Sequence, residues 1–345
     1  MGAVPVFADV DTGVDDAIAL IYLLASPDAE LVGIASTSGN VGVAQVCENN
    51  LGLLDLCRID GVPVWRGAEQ PLNSSLRANS PVHGPRGLGY AELPATDRQL
   101  GGDDAATAWV AAARRHPGEL IGVVTGPLTN LALALRAEPA LPTLLRRLVI
   151  MGGAYDHIGN TTPVAEWNIA FDPEAAAEVF TAWSPPDGVA PQSLPILCGL
   201  DVTRQIALTP DILSRLAVAA DSTTTVLSVE DERGTRSLAS NPLIRVIEDA
   251  TRFYLESYHD RGHGYLAHLH DPLAAAVALD PQLVQTREAS VDVELTGTLT
   301  RGMTVTDWSG RWARKPNALI AVQADPAKFF DRFIERVGPF AARLG

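Results

Sequence analysis

Short, mostly apolar blocks at residues 4–10, 30–37, 62–68, 120–125, 148–151 and 195–200 have the length and composition of buried strands. Between them, residues 15–26, 43–57, 103–116, 128–136 and 173–183 carry apolar positions at helical spacing. The later chain predicts helices at 210–219, 243–258 and 271–279, strands at 290–295 and 319–323, and a closing helix at 326–337. Strands that alternate with helices predict an α/β fold: an open, mostly parallel twisted sheet with helices on both faces. No repeat or low-complexity linker divides residues 1–345, which are expected to form a single domain. The Pro- and Gly-rich stretches 70–100 and 184–193 are expected to be loops.

Charge narrows the function. A net charge of -15 leaves no basic surface for phosphates, so intact nucleic acid is not an expected partner. Cys47, Cys57 and Cys198 have neither zinc-ligand spacing nor an even count, and all lie in apolar stretches. They are expected to be buried hydrophobes in a reducing compartment. The longest apolar run, residues 17–25, is too short to span a bilayer, and no basic leader precedes it. A soluble, cytoplasmic protein without a membrane partner is expected, as a homodimer or homotetramer.

Ligands of open parallel sheets bind at the carboxyl ends of the strands, so the residues just after each strand matter most. The first strand ends in Asp9, Asp11, Asp15 and Asp16, four carboxylates within eight residues. Acids in a first helical turn are favoured by the helix dipole, which explains Asp15 and Asp16 but not Asp9 and Asp11. Buried together, such groups repel unless a cation or sugar hydroxyls compensate them. The loop is not an EF-hand, because Gly13 comes one place early and Leu20 occupies the twelfth position. Neither a Gly-x-Gly-x-x-Gly fingerprint nor a P-loop is present. Further polar strand ends are Ser38-Gly39-Asn40, Thr125-Gly126-Pro127-Leu128-Thr129-Asn130 and Met151-Gly152-Gly153, followed by Asn160, Glu166-Trp167-Asn168 and His270-Asp271-Pro272.

In that order, these segments resemble the inosine-uridine nucleoside hydrolase family, whose Rossmann-like sheet is the architecture expected here. The likeness extends from Asp9 to Thr300-Arg301-Gly302-Met303. It implies that Asp11, Asp16, the main-chain carbonyl of Thr125 and Asp271 hold calcium, which prefers six to eight oxygen ligands. It implies also that Asp15, Asn40, Asn160, Glu166 and Asn168 grip the ribose, that Met151 packs under the sugar, and that Asp11 takes the proton of the attacking water. Thr12 stands where the family carries proline, which predicts a slightly looser turn. Residues 184–193 and 220–240 look longer than in typical members.

The activity implied is cleavage of the N-glycosidic bond of ribonucleosides. Carboxylates suit its oxocarbenium-like transition state, and the departing base needs a proton or hydrogen bond. His270, beside Asp271, and His83, in the long loop after Leu72, are the residues expected to supply it. Two other functions compete. An aspartyl-phosphate phosphatase would use Asp9 and Asp11 but needs a mid-chain lysine, and only Lys315 and Lys328 exist. A nucleoside- or ribose-binding protein would keep the pocket without the chemistry.

Overall fold

A computed structural model describes residues 2–73, 81–102, 104–184, 193–224 and 226–345. The first half alternates β1 (Val4–Val10), α1 (Val14–Leu24), β2 (Ala29–Ser36), α2 (Val43–Leu56), β3 (Val64–Arg66), α3 (Ala105–Arg115), β4 (Leu120–Val124) and α4 (Thr129–Ala137). Then come α5 (Leu141–Leu144), β5 (Leu145–Met151), α6 (Trp167–Phe171), α7 (Pro173–Ala182), β6 (Ile196–Cys198), α8 (Leu200–Thr203), β7 (Ala207–Leu208) and α9 (Pro210–Ala219). The remainder is α10 (Pro242–Asp260), β8 (Ala267–His268), α11 (His270–Leu279), β9 (Val284–Val293), β10 (Thr304–Asp307), β11 (Ala318–Ala324) and α12 (Pro326–Ala342).

Nine strands form one sheet in the order β10-β9-β11-β6-β5-β4-β1-β2-β3, and β7 pairs with β8 apart from it. The strands from β11 to β3 run parallel, while β9 is antiparallel to both β11 and β10. The expected mostly parallel sheet with helices on both faces is therefore present. Alternation along β1 sends Val6, Ala8 and Val10 to the core under α1, α10, α11 and α12, and Phe7 to the opposite core under α3, α4 and α7. Strand order reverses between β1 and β4, and at such a switch point diverging connections leave a crevice for ligands.

Several boundaries differ from expectation. β9 begins at Val284, six residues before the expected 290, because Gln285–Glu288 are exposed beside the sheet's antiparallel margin and show no apolar run. β10, the β7–β8 pair and the short helices α5, α6 and α8 carry too few apolar positions to show a period. α12 continues five residues beyond 337, through Pro339. Residue 103 and residues 185–192, part of the expected helix 103–116 and loop 184–193, lie outside the described residues, as do residues 74–80 and 225. Among the described residues no helix is long and apolar enough to cross a membrane.

Candidate active site

The end of β1 turns directly into α1, whose residues Val14–Leu23 are all buried. This places Asp15 and Asp16 in its first turn, beneath the carboxyl ends of β1, β2 and β4. The Gly13 N–H donates to Asp16 Oδ2 at 2.8 Å. A side chain at Gly13 would strike His83 and Asn40, and one at Gly39 would sit 2.0 Å from Asp11 Oδ2, so both close approaches require glycine. The Thr12 hydroxyl donates to Asn50 Oδ1 at 2.5 Å, and its carbonyl accepts from Asn49 at 3.3 Å. The turn is thus pinned by side-chain bonds from α2 rather than loosened by the missing proline.

Asp15, Asp16 and Asp271, the last from the first turn of α11, bring one carboxylate oxygen each to within 4.8 Å of one another. Such a cluster could hold a metal ion. Asp11 stands beside these three with its Oδ2 accepting the Asn40 N–H at 2.6 Å. Burial, then the charges of Asp16 and Asp15, holds the Asp11 carboxyl well above the usual carboxylate range. Burial and then Asp16 raise Asp15 to about 8, and burial with Asp15, Asp16 and Asp11 raises Asp271 strongly. Each carboxylate resists ionisation because it is dry and because its neighbours carry the same charge.

Asp9 is buried but turned to the sheet's other face, where its oxygens accept from Trp109 Nε1 at 2.8 Å and Asn130 Nδ2 at 2.9 Å. Its carboxyl is pushed up to about 7 by burial, against the lowering effect of those two donors. The fourth acid of the N-terminal motif therefore braces β1 to α3 and α4 and is not one of the three converging carboxylates.

Above the cluster lies a cavity of about 500 Å³ lined by Asp15, Asn40, His83, Thr125, Met151, Asn160, Glu166, Asn168, His270 and Asp271, ten of the twelve residues expected from the sequence; the other two, Asp11 and Asp16, are not among its lining residues. The Asn168 amide donates to the Thr125 carbonyl at 2.6 Å, to the Met151 carbonyl at 3.2 Å and toward Met151 Sδ at 3.5 Å. Glu166 caps α6 by accepting from Asn168 N, Gly153 N and Ile169 N, and so sets the position of Asn168. Asn160 is exposed at the rim, its Oδ1 accepting Trp167 N at 2.9 Å.

The two histidines differ from the sequence expectation in charge. His83 Nδ1 accepts the Val14 N–H at 3.1 Å, and burial lowers its pKa to about 3, so its 3.8 Å approach to Asp15 is not an ion pair. Thr203 spends its hydroxyl proton on the Gly199 carbonyl at 3.0 Å, which leaves Thr203 Oγ1 to accept from His270 Nδ1–H at 2.7 Å. The remaining His270 Nε2 is then a lone pair, facing the Tyr258 hydroxyl at 3.3 Å. Burial, followed by His268 and Arg204, keeps His270 far below its ordinary pKa. The imidazolium that a sequence reading asks for gives way to a neutral ring whose Nε2 accepts a hydrogen bond from Tyr258.

Tyr254, Tyr258, Arg204, Arg261 and His263 also line the cavity, and sequence reasoning missed them. The two tyrosines lie four residues apart on α10, a spacing that reads as an ordinary core stripe.

A family model described as inosine-uridine preferring nucleoside hydrolase matches residues 6–331. The chain is 35% identical over 340 residues to the pyrimidine-specific ribonucleoside hydrolase RihA of Salmonella gallinarum, covering 98% of this chain and 100% of that protein. It is 36% identical over 341 residues to the RihA of Escherichia fergusonii, with the same coverage. A purine-preferring ribonucleoside hydrolase from Gardnerella vaginalis superposes with a TM-score of 0.85 at 31% identity, over 98% of this chain and 99% of that one. The plant nucleoside hydrolase PpNRh1 gives 0.84 at 28%, over 97% and 99%.

Proposed function

The chain belongs to the inosine-uridine preferring nucleoside hydrolase family and is a ribonucleoside hydrolase, and we propose that its metal is calcium and its general base Asp11. The observation that carries this reading is the buried convergence of Asp15, Asp16 and Asp271 at the floor of a polar cavity. No cationic partner in hydrogen-bond contact compensates these carboxylates among the described residues, since the nearest imidazole, His83, is neutral.

A hard divalent cation fits this donor set. Every side-chain ligand offered is a carboxylate oxygen, with neither thiol nor imidazole in the cluster, which suits calcium better than zinc. Asp11, Asp16, Asp271 and the Thr125 carbonyl would hold it. When bound, it supplies positive charge that lets the carboxylates ionise and makes a neighbouring water more acidic.

The chain's own residues supply the remainder. Asp11 binds Asn40 through one oxygen, and its elevated proton affinity suits it to take a proton from water as the glycosidic bond breaks. Asp15, Asn40, Asn160, Glu166 and Asn168 surround the space for a ribose, and Met151 forms its apolar floor. Carboxylates around the sugar stabilise the positive charge that develops there. The Tyr258 hydroxyl, held by His270 Nε2, faces the same cavity and can hydrogen-bond a departing base once it rotates away from that nitrogen.

Release of reducing sugar from inosine, uridine and cytidine tests the assignment. The wild type should turn over at least one of them, and Asp11→Asn should lose about a thousandfold or more in kcat while its melting temperature stays near wild type. Tight nucleoside binding without sugar release would favour a binding protein, and full activity in Asp11→Asn would remove Asp11 as the base.

A further inference from the structure

Many arginines in this acidic chain sit against carboxylates, as Arg98 does against Asp55, Arg252 against Asp231 and Arg336 against Asp28. Arg204 is different. It is half-buried in the wall of the active-site cavity, and among the described residues no carboxylate lies within ion-pair distance of it. Arg204 follows Thr203, the residue that holds the His270 ring, so α8 delivers it beside the His270–Tyr258 pair. Its field is felt at His268 and Tyr258. Arg261 also lines the cavity, but it is solvent-exposed and therefore more strongly screened.

The cavity is consequently polarised. Asp15, Asp271 and Glu166 lie at the end suited to the sugar, and a guanidinium with free donors lies beside the groups that face the base. Resting on the hydrolase reading above, we propose that Arg204 stabilises negative charge on the departing nucleobase and thereby favours nucleosides whose base is acidic enough to leave as an anion. In this step the C1′–N bond breaks with its electron pair passing to the base nitrogen. The water oxygen bonds to C1′, and the water proton goes to Asp11. The base then carries one negative charge opposite Arg204 until it takes up a proton from Tyr258 or solvent. A guanidinium, permanently charged and partly removed from water, meets that charge without reorganisation.

The test compares uridine with 5-fluorouridine, whose base is similar in size and more acidic, in Arg204→Gln and Arg204→Lys of the full chain. Arg204→Gln should lower kcat/KM by about 100-fold on uridine and by only about tenfold on 5-fluorouridine, while Arg204→Lys stays within about tenfold of wild type on both. Calorimetry with free 5-fluorouracil, above and below the pH at which it ionises, should show wild type preferring the anion and Arg204→Gln losing that preference. Equal slowing of both nucleosides by Arg204→Gln, unchanged rates, or a retained preference for the anion would each overturn the proposal. Loss of a preference for uridine 5′-monophosphate over uridine would overturn it too, by assigning Arg204 to a phosphate. If wild type releases ribose from neither nucleoside, inosine and cytidine decide the hydrolase reading, which fails if they too are left intact, and the calorimetry alone decides on Arg204. Should Arg204→Gln not fold, Arg204→Met reads the same comparison.

Discussion

At His270 the hydrogen bonds choose a tautomer, and the tautomer limits the chemistry. With Nδ1–H committed to Thr203 and Nε2 open toward Tyr258, the ring orients the tyrosine hydroxyl rather than handing over a proton of its own. His270→Ala and Tyr258→Phe should therefore damage the same step. Each is expected to slow uridine or inosine hydrolysis by about 100-fold, and to slow p-nitrophenyl riboside, whose leaving group departs unaided, far less. Steady-state rates on the two substrate types decide the matter; equal slowing of both would make His270 a support for the sugar or for Asp271. The acids at the end of β1 were legible in the sequence because charged residues have no reason to end an apolar strand unless something uses them. Tyr254, Tyr258 and Arg204 were not, since an i, i+4 aromatic pair on a strongly amphipathic helix has the signature of core, and a single arginine after a short helix has no signature at all.

β1 shows how one element separates two kinds of buried carboxylate by alternation alone. Asp11 emerges beyond the strand toward the cavity, whereas Asp9 shares a face with Phe7 and ties the strand to α3 and α4 through Trp109 and Asn130. Burial raises the Asp9 pKa from 3.8 to about 7. A folded-state pKa raised in this way means that its contribution is full below about pH 4 and is lost as the pH rises through 7. Asp9→Asn stays neutral throughout, but its amide N–H must face one of two donors, at a cost of about 1–3 kcal/mol. The variant should thus melt below wild type at pH 5, with the gap narrowing by pH 8, as thermal unfolding at the two values would show. A gap of the same size at both values would mean that Asp9 is ionised in the folded protein at both. Long elements such as β1, α1, β4 and α11 were readable from period and length, because each buries enough apolar surface to leave a pattern. β10, α6 and α8 were not, being four or five residues long and fixed by tertiary contacts such as the Glu166 cap of α6.

Over the whole molecule, reversal of strand order between β1 and β4 opens the crevice, and two segments remote in sequence deliver acids to it: the β1–α1 turn with the start of α1, and the first turn of α11. Close packing of α1 against α11 in the core holds Asp15 and Asp16 near Asp271, so folding itself forces like charges together. The raised pKa values of Asp11, Asp15 and Asp271 express that cost. By linkage, the metal-free protein should lose stability as the pH rises from about 4, continuing toward 8, the value to which Asp15 is raised. A divalent cation binds the ionised carboxylates, so its stabilising effect must run the other way. At pH 8 calcium at a hundred times its dissociation constant should contribute about 2.7 kcal/mol. At pH 5, where protons compete for the same oxygens, the same calcium concentration should contribute much less. Melting curves with and without calcium at the two pH values measure this directly, without any substrate. A calcium-induced shift of the same size at pH 5 and pH 8 would place the ion on groups that do not titrate in this range, and so away from Asp11, Asp15 and Asp271.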